Sequence, residues 1–281
     1  MKLKIAILLP IPLLLLAISF FGIYKVYSET GDFFLRDIDL KGGVSLTLIF
    51  NKSVDVKELE PILKQKIENF IISSSKTTEG FTSINILTEE FFNVSTIMEL
   101  LNSNNLYPVE YSLHFVGPEL GEAFFYQIST LLAIAYVLLF ITNLYIYKKP
   151  VVAITIILSS IANIIVVFGV MNLLGLKISF AGFSSLLILI AFAIDANVIL
   201  ATKILSGALE EFYDQYKKGL ITGLTINASL IISMLIVLFL SNSPFLINIA
   251  QIQTIGFIAD IFNTWILNAA IIEVVMLGKR R

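Results

Sequence analysis

The chain of 281 residues is 57% hydrophobic and 14% charged, with a mean hydropathy of +0.89, which excludes a protein soluble over its whole length and places most of it in a bilayer. It has no cysteine, so disulfides, thiolate metal sites and a cysteine nucleophile are excluded, and its net charge of −2 offers no basic surface to nucleic acid. Of the 40 Lys, Arg, Asp and Glu residues, 25 fall within 1–123, so the composition itself divides the chain into unlike parts.

A helix needs about 20 apolar residues to cross the hydrocarbon core. Six stretches qualify: 5–27, 124–147, 151–174, 180–204, 220–241 and 250–276. A signal peptide shares the basic start and apolar run of the first. An uncleaved anchor is favoured, because Ile5 to Tyr24 is long for a signal peptide and Phe20–Lys25 offers no small-x-small cleavage site. After the soft linker Ser28–Asp32, apolar residues recur at strand and helix periods. Val44, Leu46, Leu48 and Phe50 alternate as a strand; Leu59, Ile62, Leu63, Ile67 and Phe70 mark one helix face after Asp55; Phe81–Leu87 is a second strand. A short helix at 94–103 and a strand with Val109, Tyr111, Leu113 and Phe115 inward complete a β-α-β-α-β order. The pattern predicts an α-helical membrane protein with six transmembrane helices and, between the first two, a small extracytoplasmic α/β domain of ferredoxin-like type. The chain divides into an anchor at 1–27, this domain at 28–123 and a five-helix region at 124–281.

Short loops rich in Lys and Arg mark the cytoplasmic side. One side collects Lys2, Lys4, Lys148, Lys149, Lys217, Lys218, Lys279, Arg280 and Arg281, the other only Lys177. Both termini are therefore expected in the cytoplasm of a multi-pass cell-membrane protein, with the basic residues against lipid headgroups. The loop 206–219, with Glu210, Glu211 and Asp214 before Lys217 and Lys218, reads as a solvated interfacial segment.

Within a bilayer an ionisable side chain costs about 2.5–3.5 kcal/mol on insertion scales, so each needs a reason. Asp195 lies deep in the fourth span and Asp260 well inside the sixth, while Lys203 and Glu273 lie nearer span ends, where long side chains snorkel. Carboxylates so placed can carry protons. The alternative is that they only join helices through Asn163, Asn197, Asn227 or Asn263. Asp195 and Lys203 share a helix face but are about 12 Å apart along it, so they form no direct pair; Asp260 is the acid best placed to join them. Gly42 and Gly43, after Asp39, permit a sharp bend before the first strand, and neither phosphate-loop spacing is present. Gly117, Pro118 and Gly121 read as a turn into the second span, and His114 as a solvated histidine. No catalytic triad, zinc motif or cofactor site is visible, so the chain does not read as an enzyme.

Three short motifs in order resemble the SecD/SecF family of protein-export membrane proteins. Asp39-Leu40-Lys41-Gly42-Gly43 is similar to its D-[LF]-[RK]-G-G, Val116-Gly117-Pro118-Glu119-Leu120-Gly121 to its V-G-P-x-L-G, and Ile194-Asp195-Ala196-Asn197-Val198 to its fourth-span signature. Asp195-Ala196-Asn197 is more SecD-like, but the short outer domain, Ala201-Thr202-Lys203 and Asp260 with Asn263-Thr264-Trp265 tip the resemblance to an archaeal-type SecF. In two departures, Lys203 stands where the family usually has Arg, and Asn227 lies near a position that some members give to Asp. The resemblance implies a subunit that pairs with a SecD-like subunit, associates with the Sec translocation channel and uses the proton motive force to draw a translocating polypeptide outward. Asp195, Asp260, Lys203 and Asn197 would couple protons to that work. An exporter of small molecules or lipids of the resistance-nodulation-division type, and a scaffold that conducts no protons, are the competing readings.

Overall fold

The computed structural model describes residues 4–51, 54, 56–67, 70–76, 81–88, 90, 92–208, 211–241 and 243–278. Lys2, Asp55, Glu210, Lys279, Arg280 and Arg281, given roles above, lie outside the described residues. Two compact units form, Arg36–Gln127 and Met1–Leu35 with Ile128–Arg281.

A 3-10 turn at Ala6–Leu8 leads into α1 (Pro10–Thr30), whose first-turn proline lacks an N–H that the helix would leave unused anyway. Gly31, left-handed at φ 79°, ends it by donating its N–H to Tyr27 O at 2.9 Å. Ser28 to Thr30, expected as linker, are therefore helical. The α/β unit then runs α2 (Ile38–Lys41), β1 (Gly43–Phe50), α3 (Val56–Leu63), β2 (Phe70–Lys76), β3 (Thr82–Thr88), α4 (Val94–Ser103) and β4 (Glu110–Val116). Its sheet has the order β2-β3-β1-β4 with every pair antiparallel, the split βαβ arrangement of ferredoxin-like folds. Leu46, Leu48 and Phe50 of β1 and Ile84 and Ile86 of β3 pack on Leu59, Leu63, Ile97 and Leu101 from α3 and α4.

Two details differ from the sequence reading. Six elements, not five, follow α2, because α3 stops at Leu63 and Phe70 opens a strand instead of extending the helix face. The strand hides in the sequence because Ser73–Ser75 interrupt its apolar alternation. The second difference is that Val109, Tyr111, Leu113 and Phe115, expected to be covered, are exposed.

The helical unit continues from the body of α5 (Pro118–Tyr147) through α6 (Pro150–Leu173), α7 (Phe180–Ser206), α8 (Phe212–Leu240) and α9 (Pro244–Phe262). A π-helical segment, Asn263–Asn268, joins α9 to α10 (Ala269–Gly278). Among the described residues, six helices are long and apolar enough to cross a membrane: Ala6–Thr30, Glu119–Tyr147, Pro150–Leu173, Phe180–Ser206, Phe212–Leu240 and Pro244–Leu277. More than half of the apolar window is buried in α6, α7 and the last of these, against less than a fifth in α1, α5 and α8. The first three are thus the inner layer. α1 seats on α6 where small residues let backbones meet, since a Cβ on Gly169 would lie 2.3 Å from Ser19 Cα.

Candidate functional site

α6, α8 and the α9–π junction each place a polar side chain at one point inside the helical unit. Asp260, only 2% exposed, accepts hydrogen bonds from Asn163 Nδ2 of α6 (2.9 Å to Oδ1), Asn227 Nδ2 of α8 (3.1 Å to Oδ2) and Thr264 Oγ1 (2.7 Å to Oδ1). Thr264 is one turn after Asp260, a spacing that lets its hydroxyl reach back along the helix. Asn263 Nδ2 donates to Asn163 Oδ1 at 2.7 Å, and in a separate pair Asn268 Nδ2 donates to Asn197 Oδ1, so side chains of α9 and the π segment are bonded to α6, α7 and α8. Asn197 itself is fully buried and donates to Ala193 O at 2.7 Å. Three donors on one carboxylate satisfy most of its acceptor capacity without any cation.

The π segment explains how Asp260, Asn263, Thr264 and Asn268 share this interior. One wider turn rotates the residues that follow it, and Tyr216 of α8 donates its hydroxyl to Trp265 O at 2.8 Å. Trp265 in turn fills the space over Gly223, where a Cβ would meet the indole at 1.9 Å.

Asp195 is not part of this cluster. It is exposed on α7, in a cleft of about 350 Å³ between α7 and α8 lined by Phe192, Ile199, Gly223, Asn227 and Leu230 among others. Among the described residues it has no hydrogen-bond or ion-pair partner. Asn227 connects the two acids, since it lines the cleft and donates to Asp260. Lys203 lies in the last turn of α7 with its side chain exposed. The sequence brings forward the acids and asparagines, but Asn268 gains its role through the π segment, which has no residue signature.

Glu273, expected to snorkel, is fully buried. Its carboxylate accepts the backbone N–H groups of Lys4 (2.7 Å), Ile5 (3.0 Å) and Ala6 (2.8 Å) and the Tyr213 hydroxyl (2.6 Å). It thereby caps the start of the first helix from the end of the last one, where an anion is favoured.

The two glycine motifs meet each other in the α/β unit. Gly42 (φ 90°) ends α2 by donating to Ile38 O at 2.7 Å, and a Cβ on Gly43 would lie 2.6 Å from Thr88 O. Gly121, in the first turn of α5, sits where a Cβ would come within 2.9 Å of Gly42 N and Leu40 C. Gly117 precedes that helix, where a Cβ would make ordinary contact with the Phe115 ring at 3.8 Å, and Pro118 is its first residue. Asp39 is half-buried on α2; burial first, and then the neighbouring Asp37 carboxylate, hold its carboxyl above the ordinary aspartate value.

Residues 96–278 match the family model for the C-terminal part of the protein-export membrane proteins SecD/SecF. The protein-export membrane protein SecF of Methanocaldococcus jannaschii is 29% identical over 96% of this chain and 94% of its own length. That of Pyrococcus furiosus is 26% identical over 93% of this chain and 88% of its own length. Among solved structures, SecDF, a translocon-associated membrane protein from Thermus thermophilus, shares the fold with a TM-score of 0.73 at 19% identity, covering 97% of this chain. This chain spans 37% of that one. With the two glycine motifs in contact, six apolar helices around the α6–α7–α9 layer and the family match over most of its length, the chain belongs to the SecD/SecF family of protein-export membrane proteins.

Proposed function

We propose that the chain is a SecF-type subunit of the Sec protein-export machinery, placed in the cell membrane with both termini cytoplasmic and residues 28–123 outside. It works beside a SecD-like subunit and the Sec channel, and uses the proton motive force to help a translocating polypeptide across. The observation that carries this reading is the single asparagine, Asn227, that belongs both to the cleft holding Asp195 and to the buried shell of Asp260. As arranged, Asp260 faces only donors, which suits a carboxylate. A protonated Asp260 would set its own O–H against one of them, so that an amide must turn or withdraw. Proton exchange at the cleft is thereby linked to the packing of α6, α8 and α9. A proton moved through the membrane supplies about 2.3 kcal/mol per 100 mV, enough to exchange one or two such hydrogen bonds. The names of the relatives, protein-export proteins throughout, favour this over the small-molecule exporter.

The test is crosslinking pull-down from membranes with a secreted reporter followed in the same cells, comparing the natural chain with Asp195→Asn. Recovery of a SecD-like subunit and channel from both, with export slowed only in the variant, is the expected result. Undiminished export in the variant would reject proton coupling at Asp195, and failure to recover either partner would reject the subunit role.

A further inference from the structure

Strand β4 is an edge of the sheet; among the described residues its only ladder partner is β1. Tyr111 stands opposite Leu48 and Leu113 opposite Leu46, so both project from the face that carries the core of the unit. Yet Tyr111 and Leu113 are 52% and 45% exposed, and Tyr107 and Val109 just ahead of them are 59% and 63% exposed. α3 and α4 cover the β1 and β3 portion of that face and leave the β4 portion bare. Proteins ordinarily blunt such an edge with lysine, proline or a bulge. Glu110–Val116 contains neither residue and runs against β1 without a break in register.

We propose that β4 is a docking edge for an extended, unfolded polypeptide, which adds as a fifth strand and lays alternate side chains over Tyr111 and Leu113. The proposal rests on the export reading above and names where the translocating chain is held. Area decides the kind of occupant. A strand of 7 residues is about 24 Å long, and one extended segment paired along it buries well under the ~1,200 Å² at which stable folded partners begin. That suits a segment that binds and is let go more than a permanent subunit. Main-chain pairing also accepts any sequence able to extend, and the apolar platform adds attraction without a code.

The chain has no cysteine, so single-cysteine variants of the full protein in its native membranes report contacts without background. The probe is a secretory polypeptide arrested in translocation and carrying single cysteines at successive positions. Tyr111→Cys and Leu113→Cys should form disulfides with it at a two-residue period, whereas Asn102→Cys, exposed on α4, should form none. In a Val109→Cys background, Tyr111→Lys with Leu113→Lys should cut the yield about tenfold. Disulfides from Leu113→Cys to a folded membrane subunit instead of the arrested chain, or to neither, overturn the proposal. Crosslinking pull-down from the same membranes separates the two claims. Recovery of a SecD-like subunit and channel with no disulfide at β4 rejects the edge and keeps the export role, while failure to recover either partner rejects the role.

Discussion

Asp260 draws its hydrogen bonds from α6, from α8 and from its own helix, so a change of one atom there is felt by three elements. Asp260→Asn keeps an acceptor for Asn163 and Thr264 but turns an amide nitrogen toward the Asn227 donor. Its expected cost is about 1–3 kcal/mol, the penalty of a buried donor left unmet. Combining it with Asn227→Asp restores a carboxylate facing an amide, and thermal unfolding of the purified protein in detergent should show most of the loss recovered. Asp39 behaves differently, because its carboxyl is raised above the ordinary value by burial and by Asp37. A raised acid is least costly to the folded state below its unfolded value and becomes a liability as pH climbs through the folded one. Asp39→Asn should therefore stabilise the α/β unit at neutral pH and leave it unchanged in acid. Amide exchange of β1 at both pH values checks this, and slower exchange in the natural chain at neutral pH would contradict it.

At the scale of elements, close approach sets where helices can sit. Gly169→Leu would drive a side chain into the Ser19 backbone and part α1 from α6, at a cost of about 1–3 kcal/mol for overpacking, read as a lower unfolding temperature. Tyr216→Phe removes the hydroxyl from the carbonyl of Trp265; roughly 0.6 kcal/mol is expected, with faster exchange in the π segment as its signature. The six spans were legible in the sequence because length and apolarity are all that a span requires. β1 was legible because Val44, Leu46, Leu48 and Phe50 alternate without interruption, while three serines concealed β2. The site was only half legible. Asp195 and Asp260 look alike as lone acids in apolar runs, but which face of a helix is covered depends on helices distant in sequence. The uncovered face of β4 escaped for the same reason, since alternation reveals a shared face and says nothing of what lies over it.

Over the whole molecule, the inner layer of α6, α7 and the α9–α10 rod carries the polar network, and α1 and α8 are fastened to it at separate points. Glu273→Gln should loosen one of these fastenings by placing an amide nitrogen among the N–H groups of Lys4, Ile5 and Ala6. Exchange at those three amides should quicken while the Asp260 shell stays protected, and a uniform loss of protection would show that the two are one cooperative unit. The same contact bears on how the chain is made. The carboxylate that completes the first helix lies 269 positions beyond Lys4, and at about 5–20 residues per second a ribosome needs roughly 13–54 s to reach it. For that interval the opening turn of the nascent protein must rely on lipid headgroups or on the insertion machinery for its hydrogen bonds, and a chain halted before its last span has no residue with which to close itself.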